Sequence, residues 1–173
     1  PGEFQWHPDR SQNGPVVVLV SIPKQWVVIY RGGVRFAAST CSTGKPGHTT
    51  PAGVFVILQK DQHHHSSTYN DAPMPYMERL TWQGVALHAG NLPGYPASHG
   101  CVRLPLEFAK LLFTVTTLGT PVIIADDEVD AWLDADSLAQ WMRPMGIPRT
   151  TAKVDARVGG AFEVVMHGAQ GDI

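Results

Sequence analysis

The stretch HAGNLPGYPASHGCVRLP, residues 88 to 105, gathers groups able to transfer an acyl unit. Cys101 directly follows a His-Gly pair, and a second imidazole, His88, stands thirteen positions upstream. A cysteine attacks as thiolate, so a base that accepts its proton makes it effective near neutral pH. His88 and His99 both qualify. His99 and Cys101 lie two apart, which in an extended chain points them to one side, whereas a turn through Gly100 breaks that relation. Gly100 also lets backbone approach a substrate closely, so its N–H and that of Cys101 are candidates to face the oxygen that turns negative during acyl transfer. Gly90, Pro93, Gly94 and Pro96 give the chain the means to reverse and return His88 to the thiol. A structural reading stands beside each of these, since a free cysteine often behaves as a small buried hydrophobe and Gly and Pro also simply build loops.

Elements on both sides must position this segment. GPVVVLVSI and QWVVIYRGGVRFAAST are rich in β-branched and aromatic residues, and Gly32-Gly33 between apolar runs is a hairpin signal, so strands are expected near residues 15 to 22, 25 to 31 and 34 to 40. STGKPGHTTPAG reads as a loop into a strand VFVILQK, and DQHHHSSTYNDAPMPYM as a mostly polar connection. GVALHA is a short strand carrying His88 near its end. PLEFAKLLFTVTTLG places Leu106, Ala109, Leu112 and Phe113 at helical spacing with Gly119 as a stop. TPVIIAD is again strand-like, DEVDAWLDADSLAQWMRPMG reads as one or two acidic helices, and GAFEVVMHG as a last strand. The fold class is mainly β with short helices.

The 173 residues suffice for one domain with a small appendage. Residues 1 to 125 carry nine Lys/Arg against six Asp/Glu, whereas residues 126 to 173 carry four against nine, and the shift marks a boundary near Asp126. The net charge of -2 argues against nucleic acid as a partner. No apolar run reaches the roughly eighteen residues of a membrane span. Two cysteines are too few for a disulfide scaffold. Residues 1 to 14 form an extension in which PGEF reads as an expression remnant and is set aside.

SHGCVRL, the upstream His, STGKPGHTTPAGVF and GTPVII together resemble the catalytic domain of the L,D-transpeptidases of bacterial cell walls, over residues 15 to 126. The resemblance implies a β-sandwich in which Cys101 is the nucleophile, His88 the base, and the carbonyl just after His88 the group that orients its ring. It implies an oxyanion hole of amides at His99, Gly100 and Cys101, with His99 a hydrogen-bonding member of the site. It also implies export to the periplasm or cell envelope, peptidoglycan stem peptides as partners, no metal or organic cofactor, and acylation by carbapenems. The reaction would release D-alanine and join two diaminoacid residues. A carboxypeptidase or endopeptidase of the same fold and a non-catalytic wall-binding module are the alternatives. Residues 127 to 173 fall outside the resemblance.

Arg103 is planar and bidentate, which suits a substrate carboxylate as well as it suits a structural ion pair. Ser98 is expected to support the loop and Tyr76 to touch substrate. Trp82 is assigned to the core, and Tyr95 to a groove. His63, His64 and His65 would alternate in direction in an extended chain and are read as a polar loop without a metal. Cys41 is expected to be buried and inert.

Overall fold

In a computed structural model of the chain, the described residues are 1–67, 70–126, 149–154, 162–168 and 171–172. A six-stranded sheet has the order β1 (Phe4–Trp6), β4 (Val34–Thr40), β3 (Trp26–Arg31), β2 (Val16–Ser21), β10 (Pro121–Ala125) and β5 (Gly53–Val56). A four-stranded sheet runs β6 (Gln59–His65), β7 (Pro73–Arg79), β8 (Ala86–Ala89), β9 (Val102–Leu104). The one α-helix among the described residues, α1 (Leu106–Val115), follows β9 directly. Further along, β11 (Arg149–Val154), β12 (Phe162–Gly168) and β13 (Gly171–Asp172) make a small antiparallel sheet. The acidic helices expected within residues 127 to 146 lie outside the described residues.

β2 and β10 are central and parallel to each other, so both read as nearly continuous apolar runs rather than alternating ones. Their Val18, Val20, Val122 and Ile124 share one core with Leu87, Val102 and Leu104 of the second sheet and with Phe108 and Leu112 of α1. Gly32 and Gly33 both have positive φ, the mirror-image turn that closes the β3–β4 hairpin as its dipeptide predicts.

Two expectations need correction here. PGEF and the residues after it belong to the fold: Phe4–Trp6 pairs antiparallel with β4. The Phe4 and Trp6 rings both sit 5.7 Å from that of Phe108, so aromatic contact on the helix holds an edge strand that looked dispensable. DQHHHSSTYNDAPMPYM is largely paired rather than a polar connection, with β6 and β7 joined in register from Gln59↔Arg79 to His65↔Pro73. Sequence polarity hid these strands because β6 keeps most of its side chains at least partly in solvent.

The other face of β7 carries a buried acid. Glu78 is 1% exposed, accepts from Thr116 Oγ1, and faces Lys60 Nζ at 3.6 Å. Lys60 in turn donates to the carbonyls of Phe113 and Thr116, neutralising the negative end of α1. Burial pushes the Glu78 carboxyl up to about 7, with Thr116 and Lys60 only partly opposing it. A folded-state value above the unfolded one means that the protonated acid favours folding. That stability is present in full below about pH 4.5 and falls away as pH rises to about 7, the loss by then amounting to ~3 kcal/mol. Thermal unfolding at pH 5 and pH 8 is expected to show a fall in stability for the parent protein and a clearly smaller fall for Glu78→Gln. Equal pH dependence in the two proteins would contradict the assignment.

Candidate active site

β8 and β9 run parallel, with Leu87 opposite Val102 and His88 opposite Arg103. Because side chains alternate along a strand, this register turns His88 and Arg103 to the same face. Cys101 sits just before β9, beside the preceding turn of the β7–β8 connection. Its thiol donates to the Gly84 carbonyl at 3.3 Å, and the Ala86 amide faces the sulfur.

The loop bearing Cys101 is strapped down by the segment after β4. Ser42 and Arg103 exchange backbone hydrogen bonds of 3.0 and 2.9 Å, and Lys45 N–H donates to Ser98 O at 3.0 Å. Thr43 O accepts the amides of both Ala97 and Ser98. Thr50 Oγ1 takes the Gly44 amide at 2.8 Å and donates to Gly100 O at 2.9 Å. Gly44 is obligatory, since a Cβ there would lie 1.9 Å from His48 O. Gln25, in the β2–β3 turn, completes the brace with both amide atoms on Thr43.

Within the strap, Ser98 Oγ donates to Cys101 O at 2.5 Å and accepts the Gly100 amide at 3.1 Å. Ser98 therefore supports the loop, as its position suggests, and is buried while doing so. The Gly100 amide, named among the oxyanion donors, is occupied by that hydroxyl. Gly100 acts instead through its backbone, whose φ of 118° carries the chain around to Cys101. Among the described residues the Cys101 amide donates to no protein acceptor, and it stays available as a donor beside the thiol.

A cavity of about 400 Å³ joins these groups. Its walls include Cys101, His88, His99, Ser98 and Arg103. His88 is buried and its Nδ1 meets the Ala89 carbonyl at 2.8 Å. A carbonyl only accepts, so Nδ1 carries the proton and Nε2 holds the free lone pair. Burial drives the ring down to about 4, against the Ala89 contact and with help from the Arg103 charge. Burial likewise raises the Cys101 thiol, opposed by the Ala86 amide and by Arg103 and Arg79. The resting pair is thus neutral imidazole and neutral thiol. No hydrogen bond joins them in this state; the thiol is turned to Gly84.

The other expected site residues vary in placement. His99 lines the cavity but is exposed, with its ring edge-on to His48 at 4.8 Å, and partial desolvation, with the Lys45 and His48 charges, biases it toward the neutral form. Tyr76 does not line the cavity: its ring packs on Phe113 of α1 at 5.7 Å, on the core side, where a φ of 55° interrupts the strand's alternation. Trp82 is 70% exposed rather than a core residue, lying under the Arg79 guanidinium. His63 to His65 stand on β6, and only His64 reaches the cavity. Among the described residues no group of three His, Cys, Asp or Glu is gathered to hold a metal. Cys41 is free, buried and raised to about 12 by desolvation, which makes it unreactive. The strap residues Gln25, Ser42 and Thr50 and the wall residue Arg79 carry no sequence signal that singles them out.

The family described as L,D-transpeptidase catalytic domain matches residues 15–124, which is most of the chain. This chain belongs to the L,D-transpeptidase family. An L,D-transpeptidase from Mycobacterium tuberculosis H37Rv is 26% identical, with a TM-score of 0.62 over 64% of this chain and 57% of its own. One from Stackebrandtia nassauensis is 26% identical, with a TM-score of 0.60 over 68% and 58%. An L,D-transpeptidase solved in complex with imipenem is 25% identical, with a TM-score of 0.60 over 64% and 58%. The chain thus spans under three-fifths of the length of these L,D-transpeptidases. Residues 130–172 are similar to a different family, the activator of Hsp90 ATPase homolog 1-like proteins. No curated protein matches the chain.

Proposed function

We propose that this L,D-transpeptidase domain transfers acyl groups between peptidoglycan stem peptides through Cys101. The observation that carries the proposal is the joint placement of Cys101 and a tautomer-fixed, neutral His88 on one cavity wall. Donor binding displaces the thiol from Gly84, and Sγ attacks the carbonyl at the L-centre of the diaminoacid residue as its proton passes to His88 Nε2. The oxygen becomes negative opposite the Cys101 amide. Collapse breaks the bond to the terminal D-alanine, whose amine takes the proton from Nε2, and a thioester remains. The amine of a second stem then attacks the thioester, gives its proton to Nε2, and the restored thiol leaves a diaminoacid-to-diaminoacid cross-link. The cell envelope is where such strands lie, and there the domain acts. No helix among the described residues is long and apolar enough to cross a membrane.

Incubation with imipenem is expected to add its mass to the Cys101 peptide, and Cys101→Ala to remove both that adduct and all release of D-alanine from a tetrapeptide muropeptide. Labelling that survives in the alanine variant refutes the assignment of the nucleophile. Products that are trimmed but never joined assign the site to hydrolysis instead.

A further inference from the structure

The cavity wall holds more positive charge than attack by Cys101 requires. Arg79 and Arg103 both line it, and among the described residues no Asp or Glu does. Arg79 stands on β7 opposite Gln59, whose Oε1 accepts its Nε–H at 2.9 Å. That bond fixes the guanidinium plane and leaves the terminal N–H groups of the fork to bind something else. Arg103 lies with its stem across Gly90, where an added Cβ would come within 3.0 Å of Cγ. Both charges are near enough to the sulfur to favour its ionised form. Among the described residues neither arginine has a carboxylate within ion-pair distance. Two aimed, uncompensated guanidinium groups in a recess are matched by a ligand that brings its own anions.

We infer that Arg79, with Arg103, reads carboxylates on the stem peptide, so that the site selects stems whose non-terminal carboxylates are free over the same stems carrying them as amides. This rests on stem peptides being the substrate. A carboxylate accepts two parallel N–H bonds from an arginine fork, whereas a primary amide offers one acceptor and turns N–H donors against the fork. Discrimination therefore comes from repulsion as well as attraction.

The test measures equilibrium binding to the full chain carrying Cys101→Ala, using two tetrapeptide muropeptides that differ only in amidation of the non-terminal carboxylates. The free-carboxylate peptide is expected to bind about 10- to 100-fold more tightly, with the ratio shrinking as salt is raised. Adding Arg79→Gln should bring the ratio close to one, and Arg79→Lys should keep part of it, since charge remains but the fork is lost. Gln59→Leu, which leaves Arg79 in place without its guide, should also shrink the ratio and serves if Arg79→Gln does not fold. Equal affinities, binding of neither peptide, or a ratio undiminished by Arg79→Gln overturns the inference. Binding needs no turnover, so a preference seen in Cys101→Ala beside a parental chain that forms no thioester would count against acyl transfer alone.

Discussion

Replacing His88 with Gln is expected to slow acylation of Cys101 by imipenem or a stem peptide by about 10²- to 10⁴-fold, the range that general base catalysis supplies. The same change should scarcely alter alkylation by a small reagent such as iodoacetamide, because the resting thiol bonds to the Gly84 carbonyl and not to the imidazole. The two rates separate a base that acts during attack from one that holds a thiolate beforehand. The pH profiles should separate them too. With His88 depressed to about 4, the imidazole is neutral and able to accept a proton above that value. Acylation should therefore hold its rate down to about pH 5 and fall about tenfold per unit once pH drops below about 4. Alkylation, governed by a thiol raised by burial, should keep climbing through the alkaline range. A plateau in alkylation beginning near pH 6 would reveal a resting thiolate-imidazolium pair and sink the neutral-pair mechanism.

Gly100→Ala is expected to be nearly as damaging, although an added Cβ would meet nothing closer than His48 O at 3.9 Å. The harm comes from the backbone. A φ of 118° is poorly accessible to any residue with a side chain, so alanine either bears strain of about 1–3 kcal/mol or rotates away. Rotation breaks the bonds from Thr50 to Gly100 O and from Gly100 N–H to Ser98, and re-aims the next amide, that of Cys101. Loss of one aligned oxyanion donor lowers acylation by about 10²- to 10³-fold. Thermal unfolding read beside the acylation rate checks both consequences. A variant with parental acylation would mean that the Cys101 amide does not face the developing charge.

Reading from residue types reaches some of this architecture and not the rest, for physical reasons. Cys101 and His88 stand out because few residue types ionise usefully, and α1 stands out because its apolar spacing is that of a half-buried helix. The β3–β4 hairpin follows from Gly32-Gly33. β6 escaped notice because Asp61 to His65 is polar at nearly every position, and an edge strand needs no apolar face to be paired. Trp82 is exposed and Tyr76 packs on Phe113, the reverse of their expected burial, since an aromatic side chain is equally at home in a core or on the surface and only the tertiary context decides. The strap was invisible for another reason. Thr50 and Gly100 are fifty positions apart and Gln25 and Thr43 eighteen, and side-chain bonds over such separations leave no local pattern. Arg79 carries no local signal, because what sets it apart is the absence of acids around it among the described residues.

The parallel pairing of β8 with β9 has a wider consequence. His88 is fixed by the ladder and Cys101 by the strap, and the segment from Asn91 to Pro96 between them is tied to the strap at Tyr95, whose carbonyl accepts Ser42 Oγ–H at 2.7 Å. Away from that tie, from Asn91 to Gly94, changes of length or composition would reshape the rim of the cavity while the ladder and the strap keep His88 and Cys101 in place.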